Sequence, residues 1–173
     1  GRVGDKVQFY GNGTSTTTYG GATEVSISGG TAQVKVYGNI MSLVYEESFA
    51  TATTLPNAAY IFYKLFQNNA NLTDASDLLM PSTTLRNNCY RNMFYGCTNL
   101  EAAPVLPAET LVTNCYQNMF NNCSKLASVT CLATSGINTN YSTDKWLVNA
   151  GTQATGTKTF TITGIGNCSG SKS

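Results

Sequence analysis

Apolar and polar positions recur at a fixed spacing through the middle of the chain. Leu85 opens the stretch LRNNCYRNMFYGCTNLEAAPVLPAET, and Leu111 opens LVTNCYQNMFNNCSKLASVT. Cys89 matches Cys115, Tyr90 matches Tyr116, and Met93-Phe94 matches Met119-Phe120. Cys97 matches Cys123 and Leu100 matches Leu126, always at an offset of 26. A degenerate earlier copy starts at Ile61. There Ile61, Phe62, Leu65, Phe66, Asn69 and Leu72 stand for Cys89, Tyr90, Met93, Phe94, Cys97 and Leu100 at an offset of 28, with two extra residues before Pro81. A fourth, decayed copy begins near Cys131, its helical part lost. Self-similarity at this period marks stacked coils that share one core.

Within a copy, C-Y-x-N-M-F-x-x-C places apolar residues at i, i+1, i+4, i+5 and i+8, which predicts a helical face one or two turns long. The following L-x-x-A-P-x-L-P predicts a short extended segment interrupted by proline. Each copy is then one helix and one short strand, with equivalent side chains stacked in ladders. The chain before the repeats alternates with period two. Strands are expected over Asp5–Tyr10, Glu24–Ser28 and Ala32–Tyr37, the last two joined at Gly29-Gly30 as a hairpin. Beyond the repeats, a polar loop at 134–143 is expected to lead to a short helix capped by Asp144 and holding Trp146. Thr157–Thr163 reads as a strand, and the tail from Gly166 as mobile, with Cys168 the most exposed thiol.

The expected fold is α+β: a short right-handed β/α solenoid, leucine-rich-repeat-like, with an N-terminal β cap and a C-terminal capping segment. The cap covers residues 1–55, the coils 56–133, and the C-terminal cap with its tail 134–173, all in one compact unit. Capping is required because an open solenoid end exposes apolar core and unpaired strand edges.

Composition narrows the chemistry. Of 173 residues, only 11% are charged and none is histidine, with a formal net charge of +1. Thr, Ser, Asn and Gly take the place of the missing charge, a surface suited to an extracytoplasmic protein. Lacking histidine, the chain has no Ser-His-Asp or Cys-His triad and no His-ligated zinc. Lys and Arg are scattered singly, which argues against a nucleic-acid partner. No apolar run approaches the ~20 residues of a membrane span. The start at Gly1 rather than Met reads as a processed or trimmed end.

Six cysteines stand at 89, 97, 115, 123, 131 and 168. An even count outside the cytosol usually suggests disulfides. Their ladder positions instead favour buried free thiols filling narrow sites, because Ile61 and Asn69 replace two of them in the degenerate copy. No C-x-x-C pair indicates zinc or thioredoxin-type chemistry.

The block C-Y-x-x-M-F-x-G-C-T-x-L-x-x-A-P-x-L-P-A-x-T-L over residues 89–111 resembles the BspA-like leucine-rich repeats of Bacteroidetes surface proteins. Residues 115–131 follow it with drift: Asn122 replaces the usual glycine and the A-P-x-L-P tail is absent. The V-T-C-L-A-T run at 129–134, Lys145-Trp146-Leu147 and the run at 156–160 resemble the terminal segment of such proteins. Val36–Leu43 resembles the segment leading into the repeats. The resemblance implies a repeat fold and a surface-exposed adhesion or interaction role. It carries no catalytic residues.

Candidate chemistry is sparse. Glu46-Glu47, Asp74 with Asp77, and Glu101 with Glu109 are the neighbouring carboxylates. Glycoside hydrolysis needs two of them facing across a cleft. Asp74, Asp77 and Asn71 offer oxygen ligands for Ca²⁺ without the spacing of a known calcium loop. Solvated surface acids are the plainer reading. Tyr90 with Tyr116 and Phe94 with Phe120 form aromatic rungs, mostly core, whereas Tyr95 falls out of phase and is expected on the surface. Asn12, Asn71 and Asn140 begin Asn-x-Ser/Thr triplets that would mean little in a bacterial protein.

These readings point to a non-enzymatic cell-surface or secreted adhesion module. It would bind a host or neighbouring-cell macromolecule, an extracellular protein or glycan, through a solenoid face. A carbohydrate-binding module of a larger polysaccharide-handling protein is the alternative. No catalytic, metal or cofactor-binding residue is assigned, no cofactor is expected, and the ligand-binding residues are not readable.

Overall fold

The computed structural model describes residues 4–9, 26–27, 30–164 and 166–167. Its centre is four backbone runs lying side by side, at 60–69, 88–97, 114–123 and 141–150. Alternate N–H groups in a run do different work. Those of Cys89, Arg91, Met93, Tyr95 and Cys97 close tight turns onto carbonyls three residues back, at 3.1–3.3 Å. Those of Asn88, Tyr90, Asn92, Phe94 and Gly96 cross to the carbonyls of Thr113, Cys115, Gln117, Met119 and Asn121, at 2.8–3.0 Å. Asn114, Tyr116, Asn118, Phe120 and Asn122 repeat this onto Asn140, Ser142, Asp144, Trp146 and Val148. Each crossing bond between these runs goes from an N–H of the earlier run to a C=O of the later one.

Every fourth residue of these runs has positive φ: Asn88, Asn92 and Gly96; Asn114, Asn118 and Asn122; Tyr141, Lys145 and Asn149. Left-handed backbone excludes an α-helix, and Asn and Gly are the residues that tolerate it. The pairs between these positions, such as Cys89-Tyr90 and Met93-Phe94, are buried. The apolar spacing is therefore period four in a chain of turns, not a helical 3.6. This corrects the helix expected in each copy; no α-helix occurs among the described residues.

Opposite the runs lies an extended side. Its elements are β1 (Val34–Lys35), β2 (Gly38–Asn39), β3 (Leu72–Asp74), β4 (Leu78–Leu79), β5 (Ser128–Cys131), β6 (Thr159–Ile162) and β7 (Gly166–Asn167). β1 pairs with β3, β2 with β4 and β5 with β6, all parallel. Single bridges at Asp74–Ala102, Ala102–Ser128 and Leu106–Cys131 carry the pairing through the second copy. Pro104 and Pro107 lack an N–H, so that copy forms bridges instead of a longer strand. β7 turns back antiparallel on β6.

The core between the two sides is laddered. Phe62, Tyr90, Tyr116 and Trp146 stack in one column with centroids 5.8, 6.0 and 6.5 Å apart. Phe66, Phe94 and Phe120 form a second at 5.3 and 5.4 Å. Leu72, Leu100 and Leu126 are buried at equivalent places.

Both ends differ from expectation. Residues 5–9 are exposed and form no strand. Tyr10, Glu24, Val25, Ser28 and Gly29 lie outside the described residues, as does Cys168. β1 pairs in parallel with the first repeat, where Leu72–Asp74 offers an edge and Asp74 a counter-charge, 3.0 Å from Lys35. The hairpin expected at Gly29-Gly30 falls partly on residues outside the described ones. Ile27 N–H donates to Leu65 O at 2.7 Å, so the lead-in segment does lie against the first run. At the far end, the loop of 134–143 and the helix at Asp144 give way to the fourth run. The copy that seemed decayed keeps its backbone, and the stack extends beyond residue 133. β6 falls within the strand expected at Thr157–Thr163.

Candidate functional site

The stack removes the described thiols from solvent. Cys89, Cys97, Cys115, Cys123 and Cys131 are free and buried. Cys97 Sγ donates to Phe66 O at 3.0 Å, and Cys123 Sγ to Phe94 O at 3.1 Å. Asn69, at the same place in the first copy, donates its Nδ2 to Ile27 O at 3.1 Å. Cysteine here is a small apolar filler with a weak donor aimed at the preceding coil. Burial pushes the Cys97 and Cys115 thiols up to about 12. Burial, reinforced by the neighbouring thiol, raises Cys89 and Cys123 well above the usual range. A protonated, occluded thiol is a poor nucleophile.

The carboxylates are dispersed. Asp74 is engaged: Ser76 donates its N–H and hydroxyl to Oδ1 at 2.9 and 2.8 Å, and Lys35 takes Oδ2. The Ser76 bonds, followed by Lys35, hold the Asp74 carboxyl below its ordinary value. Asp77 is exposed, and Asn71 donates Nδ2 to Gly30 O at 2.7 Å, so the three do not converge on an ion. Glu46 and Glu47 lie on an exposed bend. Glu101 and Glu109 are exposed.

The aromatic rungs are core. Tyr90 and Tyr116 are 1% and 0% exposed, which excludes them as a platform for sugar rings. Tyr95 is only half-buried, its Oη accepting from Asn122 Nδ2 at 3.4 Å. Asn12 lies outside the described residues, and Asn140 is exposed.

A different row faces outward on the extended side. Leu79 and Val105 each stand two residues before a proline, Pro81 and Pro107. They are 59% and 51% exposed, while Met80 and Leu106 beside them point into the core. Leu132 is 39% exposed between buried Cys131 and Ala133. Strand alternation puts all three on the outer surface. Sequence reasoning missed these residues, although an apolar neighbour beside each of buried Met80, Leu106 and Cys131 signals them. It also missed Tyr141, 67% exposed, in a segment read as polar loop.

No helix among the described residues is long and apolar enough to cross a membrane. No family model matches the chain, and no curated protein or solved structure shows significant similarity to it.

Proposed function

We propose that the chain is a non-enzymatic interaction module, secreted or held at a cell surface. We read the stack as a short right-handed leucine-rich-repeat-like solenoid with an N-terminal cap, in keeping with the BspA-like resemblance of residues 89–111. The observation that carries the proposal is the exposure of the apolar side chains of Leu79, Val105 and Leu132 on the extended side, outside the laddered core. Exposed apolar side chains gathered on one face favour contact with a macromolecule. A rigid backing lets that face bind with little ordering cost. The partner is an extracellular protein or glycan. The second reading, a carbohydrate-binding module of a larger polysaccharide-handling protein, draws on exposed Tyr141.

The test is a binding screen of the folded chain against arrayed matrix proteins, mucins and glycans, with a heat-unfolded sample as control. Saturable binding that needs the fold, and that falls in Leu79→Ser and Val105→Ser variants, is the expected result. Failure of the folded chain to bind any of these would sink the proposal.

A further inference from the structure

We propose that the cleft between Asn138, Asn140, Tyr141 and Asp144 binds a neutral pyranose unit of a glycan. The inference rests on the reading of the chain as an interaction module and names the chemistry of one partner. The cleft lies at the last run of the stack, is open to solvent and has a volume of about 440 Å³. That lies within the ~300–1,000 Å³ typical of small-molecule sites.

Its lining is an aromatic ring, two amides and a carboxylate. The Tyr141 side chain is 67% exposed. The Asn140 amide has no partner among the described residues. Asp144 commits Oδ2 to Gln117 Nε2 at 3.0 Å and keeps its other oxygen. Asn138 accepts from Thr143 Oγ1 through Oδ1 at 2.6 Å, which fixes the amide and leaves its NH₂ as donor.

The backbone is unusual at the same place. The two middle runs place positive φ at every fourth residue, and the first run adds Phe62 (61°) to that series; here Asn138 (59°) and Asn140 (48°) add to the expected Tyr141 (58°). Left-handed backbone is rare for tyrosine; Tyr141 shares it with Tyr60 (62°) of the first run, and the two added asparagines turn the chain beside it. No further described run lies beyond the last one to receive its crossing N–H groups. Those of Tyr141, Thr143, Lys145, Leu147 and Asn149 meet no acceptor among the described residues.

A pyranose matches this set. Its C–H face packs on a flat aromatic ring, and its hydroxyl rim both donates and accepts, as amides and a carboxylate require. No aliphatic side chain lines the cleft, so an apolar peptide anchor finds no wall. Asp144 disfavours uronic and sialic acids by like charge.

The test is saturation-transfer NMR on the full chain with methyl glycosides of glucose, galactose, mannose, fucose and N-acetylglucosamine, against methyl glucuronide and sialic acid. At least one neutral glycoside is expected to bind saturably and the acidic sugars not. Tyr141→Ala should weaken binding about tenfold, and Tyr141→Phe should retain it. Far-UV spectra and thermal melts confirm folding. If Tyr141→Ala does not fold, Tyr141→Gly, which suits positive φ, replaces it. No neutral-sugar binding, equal binding of acidic sugars, or binding indifferent to position 141 overturns the cleft. A protein partner that still binds in the screen, or sugar binding that maps elsewhere, would leave the interaction module standing without this site.

Discussion

The two middle runs and the last run share one backbone and almost no side chains. Asn114, Asn118 and Asn122 become Tyr141, Lys145 and Asn149, all at positive φ. Tyr116, Met119, Phe120 and Cys123 become Thr143, Trp146, Leu147 and Ala150. Five crossing hydrogen bonds nevertheless join the third run to the fourth at 2.8–3.0 Å, the same range as between the second and third. The backbone arrangement is thus held by carbonyls in register and by turns, and the side chains set how firmly. The middle runs have core on both sides and optimise it; the last run has core on one side and is free to carry exposed groups.

The largest expected effect exploits the thiols that only the earlier part of the stack carries. An unfolded thiol titrates near ~8.5, whereas folded Cys97 and Cys115 reach about 12. A folded value raised above the unfolded one gives stability that is complete below ~8.5 and lost as pH rises toward the folded value. Each such thiol removes about 1.4 kcal/mol per pH unit in that window. Five thiols are raised. Cys97 and Cys115 alone remove about 3 kcal/mol per pH unit in that window, and the other three act in the same direction, against the ~5–15 kcal/mol of an ordinary domain. Cooperative unfolding near pH ~10 is expected in circular dichroism. A Cys97→Ala/Cys123→Ala double variant should be less stable at pH 7 yet unfold at higher pH. An unchanged alkaline midpoint would break the link between ladder and titration.

Next in size is the ladder itself. Phe120 is fully buried and stacks on Phe94 at 5.4 Å. Phe120→Ala should cost about 3–5 kcal/mol in urea unfolding. Leu147 holds the equivalent place in the last run but is half-buried. Leu147→Ala should cost less than about 2 kcal/mol. Equal costs would mean that the last run is as much core as the middle ones.

These contrasts show what the sequence makes legible. The 26-residue offset located the stacked cores and the buried cysteines, because identical side chains in register are a direct trace of ladders. The helix was misread because i, i+1, i+4, i+5 fits both 3.6 and 4.0 residues per turn over so short a run. The discriminating signal was the polar half: Asn88, Asn92 and Gly96, then Asn114, Asn118 and Asn122, each four apart. The fourth run hid for the converse reason. Tyr141 and Lys145 adopt left-handed backbone without being residues that prefer it, so only the hydrogen bonds from the third run reveal them. The cleft at Asn138–Asp144 was illegible for the same reason: its place follows from a run the side chains do not announce.

The smallest effects test whether the turn positions are chosen for their backbone. Asn118 has φ 54° and accepts from Asn121 Nδ2 at 3.3 Å. Asn118→Ala places an ordinary Cβ residue in left-handed backbone and removes that acceptor, for an expected loss of about 1–2 kcal/mol. Lys145 has φ 51° at the equivalent place and an exposed side chain. Lys145→Asn installs the middle-run residue there and should raise stability by about 0.5–1 kcal/mol. Paired urea titrations read both. Opposite signs at equivalent positions follow if left-handed φ governs these sites. If Lys145→Asn is neutral or destabilising, the last run is held by its five crossing hydrogen bonds and its buried Trp146, and not by the choice of residue at its turns. Asparagine in the middle runs would then be kept for its side-chain ladder, as in the 3.0 Å bond from Asn114 to Asn88, and not for its backbone.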